Sequence, residues 1–144
     1  MSTARRVRSS GGKRHQAREL ALRVLFQLES SGDDPDGVLS YHAADGAVPP
    51  ETAAFAAELV RGVLANQDEL DAILSEASEH WKLEQMAKVD RIILRIAVYE
   101  LTVDRQVPTK AAINESIELA KTFSGEEAGR FVNGILGRVA AAAR

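Results

Sequence analysis

WKLEQMAKVDRIILRIAVYEL, running from Trp81 to Leu101, decides the fold. From Leu83 onward it contains neither Gly nor Pro, and Ile92, Ile93, Leu94, Ile96, Ala97 and Val98 place apolar groups around most of a helix's circumference. A helix that is apolar on nearly every side must be wrapped by others, so the pattern predicts a central helix over Leu83–Leu101. Working outward, Val107-Pro108-Thr109 opens a second helix with Ile113, Ile117, Ala120 and Phe123 as its stripe. Ser124-Gly125 breaks it. A last helix, from about Glu126 to Ala142, turns Phe131, Val132, Ile135, Leu136 and Val139 inward. Gly134 lies within it, at a cost of about 1 kcal/mol relative to Ala, which points to close approach of a neighbouring helix. On the other side, Leu70, Ile73 and Leu74 mark one helix, and Phe55, Leu59 and Val63 another that begins at Pro50. A short helix is expected around Val38–His42. A long one starts at Lys13, carries Ala17, Leu20, Ala21, Val24, Leu25 and Leu28 on one stripe, and stops in SGDDPDG, Ser31–Gly37. No strand pattern appears. The expected fold class is all-α, a compact bundle of about seven helices.

Composition supports this reading. Hydrophobic residues make up 45% of the 144 residues and aromatics only 5%, so Ala, Leu, Ile and Val must build the core, and the strong helix formers among them favour helix over sheet. There is no Cys, which removes disulfides and thiol chemistry and fits a reducing, cytoplasmic setting. No apolar run approaches the roughly 20 residues of a membrane helix, and no apolar segment of the secretory type follows the basic start.

The net charge of −3 conceals an asymmetry. Arg5, Arg6, Arg8, Lys13, Arg14, Arg18 and Arg23 crowd the first 23 residues with Glu19 as the one acid among them, while the rest of the chain holds 11 basic and 20 acidic residues. An acidic body repels phosphate, so only this end can attract nucleic acid. Residues 1–12 lack apolar periodicity and read as a disordered basic arm; residues 13–144 read as the folded domain. Arg pairs with phosphate in a bidentate fork and stacks on bases. Arg14 and Arg18, four residues apart, are expected to project from adjacent turns of an exposed face. Unpaired RNA, whose bases are free to stack, is the substrate such a surface suits. Nothing comparable points to catalysis. His15, His42 and His80 fall on different elements without metal-ligand spacing, and Gly11-Gly12-Lys13 is too short for a phosphate loop. The expectation is a non-enzyme without metal or cofactor.

Four blocks then share one resemblance: KRHQARELALRVLFQLE (Lys13–Glu29), VDRIILRIAVYEL (Val89–Leu101), VPTKAAINESIELAKTF (Val107–Phe123) and RFVNGIL (Arg130–Leu136). In this order and spacing they resemble the NusB family of antitermination factors. The resemblance implies two packed helical subdomains. It also implies binding to single-stranded boxA RNA together with ribosomal protein S10 (NusE), in a complex that joins RNA polymerase and other Nus factors and supports transcription of ribosomal RNA operons. The family's basic RNA surface maps onto Lys13, Arg14 and Arg18, with His15 and Gln16 beside them and Arg5, Arg6 and Arg8 ahead. Lys121 and Phe123 match a second RNA contact. Phe26 and Asp90 are the implied S10-facing residues, and Asn114 and Asn133 of the AINE and FVNG motifs the implied hydrogen bonds between helices. The family's tight Arg cluster is partly KRHQ here, with STARRVRSS ahead of it.

Alternatives stay open at this point: a non-catalytic factor of ribosomal RNA maturation or assembly, the NusB-like RNA-binding domain of a ribosomal RNA methyltransferase, and a homodimer that hides its RNA surface.

Overall fold

A computed structural model describes residues 12–143, which form seven α-helices and, among the described residues, no strand. The chain divides into two compact units, one ending at Val60 and one beginning at Arg61.

The first unit contains α1 (Gly12–Ser31), α2 (Pro35–Asp45) and most of α3 (Pro50–Ala65). Ala17, Leu20, Ala21, Leu22, Val24 and Leu25 of α1 are buried, a wider arc than a single stripe because Ala17 and Ala21 let neighbouring chain approach closely. α2 packs against α1. Its start is set by sequence chemistry: Asp34 accepts a hydrogen bond from the Gly37 N–H at 3.0 Å, Pro35 occupies the first turn and Asp36 faces the helix dipole favourably. The helix therefore runs longer than the Val38–His42 expected from apolar spacing alone. His42 and Gln27 join α2 to α1 through a 2.8 Å hydrogen bond.

The second unit contains the end of α3, then α4 (Gln67–Ala77), α5 (Lys88–Val98), α6 (Thr109–Ser124) and α7 (Glu126–Ala142). α5 is central: eight of its eleven residues are buried, and it packs against α4, α6 and α7. The helix expected over Leu83–Leu101 is in fact three pieces. Leu83–Gln85 is a single tight turn closed by the Gln85 side chain, which accepts from the Lys82 N–H at 3.0 Å. Met86 is extended and buried, and α5 begins only at Lys88. Past Val98 the chain widens into a π-helical turn, Tyr99–Asp104, ended by Arg105 in the left-handed region at φ 57°, whose N–H reaches back to the Glu100 carbonyl. α6 and α7 form an antiparallel pair hinged on Gly125, whose φ of 102° favours glycine.

The close helix approach expected at Gly134 is found elsewhere. A Cβ at Gly134 would meet nothing within 4 Å, whereas one at Gly62 would enter the Tyr99 ring and one at Gly129 would lie 2.8 Å from Lys121 Cγ. Asn114 and Asn133, expected to hydrogen-bond between helices, are both exposed.

Candidate nucleic-acid interface

The first turns of α1 place cations where they do least for the helix. Its first turn holds no acid, yet Lys13 and Arg14 sit there against the positive end of the dipole. Such an arrangement costs folding energy and is best explained by what it attracts. Lys13 is exposed and its Nζ lies 2.9 Å from Glu51 Oε1, on the first turn of α3. That hydrogen bond, with the Coulomb attraction beside it, lowers the Glu51 pKa below the usual carboxylate value, so the acid stays ionised and Lys13 neutralised. One turn along α3, Phe55 carries the Arg14 guanidinium over its ring, with Cζ 4.3 Å from the centroid. Arg14 Nη1 is buried and makes no hydrogen bond. His15 faces Glu19 at 3.2 Å, one turn on, and Gln16 is half-buried beside it.

Arg18 does not join this face. It is 2% exposed, a correction to the expectation that it projects with Arg14. It lies within the wide buried arc, between Ala17 and Ala21 and one turn before buried Leu22. A guanidinium held there requires hydrogen-bonded or charged company, and its side chain is engaged. Its place in the structure is that of a core residue.

The remaining expected site residues are spread through the chain. Arg5, Arg6 and Arg8 lie outside the described residues. Lys121 and Phe123 are exposed in the last turn of α6 in the second unit, with Lys121 Nζ 3.8 Å from Glu118. Phe26 is 41% exposed on α1. Asp90 is 8% exposed in the first turn of α5, where the dipole favours an acid, and its Oδ1 makes no hydrogen bond. Little of its surface is available to a partner. Glu51 was given no role from the sequence and Phe55 was placed on the core face of its helix; the local signal that joins them is the i, i+4 spacing that puts both on one face of a helix starting at Pro50. Trp81 was also passed over. It is exposed and meets Phe131 edge-on at 5.7 Å. No cluster of His, Asp or Glu among the described residues is arranged to hold a metal ion, and none of the described helices is long and apolar enough to cross a membrane.

With this geometry in hand, comparison with known proteins is decisive. The sequence pattern of the NusB family matches residues 15–141. The chain belongs to the NusB family. It is 44% identical over 134 residues to the transcription antitermination protein NusB of Symbiobacterium thermophilum, covering 88% of both chains. It is 46% identical over 127 residues to that of Desulforudis audaxviator, covering 88% of this chain and 92% of the other. Among solved structures, the NusB of T. maritima superposes with a TM-score of 0.81 at 34% identity, covering 89% of this chain and 90% of that one. A NusB solved with NusE in complex with double-stranded RNA superposes with a TM-score of 0.83 at 24% identity, covering 90% of this chain and 97% of that one, and shares the fold. The family match begins at His15, so Lys13 and Arg14 stand just ahead of it while Glu51 and Phe55 fall inside.

Proposed function

We propose that this chain is a cytoplasmic transcription antitermination factor of the NusB family that acts by binding and not by catalysis. It holds unpaired boxA RNA on the basic start of α1 and engages S10 (NusE) as its protein partner, linking the RNA to transcribing RNA polymerase. The observation that carries the reading is the cation cluster at the N-terminus of α1, placed against the helix dipole in a chain of this family. Phosphate contacts from Lys13, Arg14 and the arginines of residues 1–11 supply affinity by releasing counterions, and guanidinium planes offer bases a surface to stack on. Lys121 and Phe123 supply a separate, second RNA contact, and Phe26 offers the aromatic surface suited to S10. The test is binding of labelled boxA RNA against a scrambled RNA of equal length, with and without S10. Tighter boxA binding, strengthened by S10, is expected. Equal affinity for both RNAs with no effect of S10 overturns the reading.

A further inference from the structure

We propose that the first two turns of α3 form the second wall of the RNA site, with Phe55 a positioning residue that holds the Arg14 guanidinium in place and Glu51 an acidic competitor that phosphate must displace from Lys13. The inference rests on the RNA-binding reading above and adds two residues to it. Glu51 and Phe55 are four residues apart, so they share one face of α3, and both meet the α1 cations: Glu51 through the 2.9 Å contact to Lys13, Phe55 through the Arg14 guanidinium 4.3 Å above its ring centroid.

The cations of this end differ in what already occupies them. Lys13 is tied to Glu51, His15 faces Glu19 and Arg18 is buried. Arg14 makes no ion pair with a described residue. Its guanidinium rests on an aromatic ring, and Nη1 has donor capacity in use by nothing. A guanidinium seated on a ring is already ordered and is more weakly hydrated than an ammonium, so a phosphate that meets its remaining N–H groups costs it little conformational freedom. A Lys in its place would offer a point charge and no plane. Glu51 has the opposite influence. Its carboxylate, 77% exposed on the side chain, neutralises the adjacent Lys13 in the free protein and repels any phosphate that approaches without displacing it. The wall thus favours a strand whose phosphates meet Arg14 and displace Glu51 from Lys13 at well-placed positions over one that brings diffuse charge alone.

The experiment measures anisotropy of labelled boxA RNA across a salt series, against the full chain and four variants, with thermal melts to confirm folding. Phe55→Leu is expected to weaken binding by about three- to tenfold, and Phe55→Tyr, which keeps a ring, to restore it. Glu51→Gln, a change on an exposed side chain, is expected to tighten binding by about two- to fivefold, with the gain shrinking as salt rises. Arg14→Ala weakens binding and reports on the site itself. Opposite signs at two residues one turn apart cannot arise from general loss of structure. Weaker binding by Arg14→Ala with both Phe55→Leu and Glu51→Gln unchanged overturns this wall and leaves the RNA site standing. Wild-type protein that does not prefer boxA overturns both.

Discussion

Asp71 and Arg95 join α4 to α5 at the centre of the second unit, and their separation predicts an asymmetric response to mutation. Arg95 donates from Nε to Asp71 Oδ1 at 2.7 Å and from Nη2 to Oδ2 at 3.0 Å, a bidentate fork. The arginine side chain is 10% exposed and the aspartate 26%. At an effective dielectric near 20, unit charges about 4 Å apart attract by about 4 kcal/mol, and desolvation of both groups offsets much of that. Asp71→Ala leaves a nearly buried guanidinium without its carboxylate. The 3–5 kcal/mol typical of a broken buried pair, discounted because Asp71 reaches solvent, gives a loss of about 2–3 kcal/mol. Arg95→Met leaves instead a carboxylate that water can reach, and fills the space with an apolar chain, for a loss of about 1–2 kcal/mol. The double variant needs neither charge and should cost no more than Asp71→Ala alone. Coupling of at least about 1 kcal/mol is therefore expected from the double-mutant cycle. Urea unfolding followed by far-UV circular dichroism, with thermal melts alongside, measures it. Asp71→Ala should lower Tm by about 8–10 °C in a chain of this size. Losses that simply add, or Arg95→Met costing more than Asp71→Ala, would refute the assignment of the buried charge to the arginine side.

Four further substitutions probe the packing. Arg18→Ala should destabilise by on the order of 2 kcal/mol while leaving the salt dependence of RNA binding unchanged in the folded fraction, because Arg18 is buried and faces no phosphate; a shallower salt slope at full stability would return it to the RNA surface. Ile96→Ala, at the buried centre of α5, should cost about 2–5 kcal/mol, and a near-neutral melt would contradict the central position of that helix. Gly62→Ala should cost about 1–3 kcal/mol because the new methyl meets the Tyr99 ring, whereas Gly134→Ala, where the methyl meets nothing within 4 Å, should be neutral or stabilising; the reverse order in thermal melts would contradict the packing of α3 on the π-helical turn.

What the sequence made legible was whatever a few consecutive residues decide. Ile92–Val98 announced the central helix because an apolar circumference on a helix too short to cross a membrane has one use, burial among other helices. Its ends were misread because they depend on particular hydrogen bonds: Gln85 turning back on Lys82, and Arg105 closing a wide turn onto Glu100. Periodicity carries no trace of either. Arg18 was read as exposed because it lies off the stripe of Ala17, Leu20, Ala21 and Val24, whereas the buried arc extends past that stripe to Arg18 and Leu22. Gly134 drew attention by interrupting a helix, but a glycine's purpose is settled by what stands opposite it, and that is visible only at Gly62 and Gly129.

The site follows the same division. A cluster of cations at a chain end is a local property, and the sequence displayed it plainly. Which cation is available to a ligand is not local, because it turns on Glu51 and Phe55, which lie 38 residues or more along the chain from the groups they meet. The formal charge of that end therefore overstates its pull on phosphate: Lys13 is offset by Glu51, and Arg18 is inside the fold. If this end binds RNA as proposed, Arg14 and the arginines before it carry a larger share of the binding than a count of basic residues assigns them. On the proposed reading, selectivity for an unpaired strand comes less from the number of positive charges than from one guanidinium held in place by Phe55 and one lysine that gives itself up only to a phosphate placed well enough to replace a carboxylate.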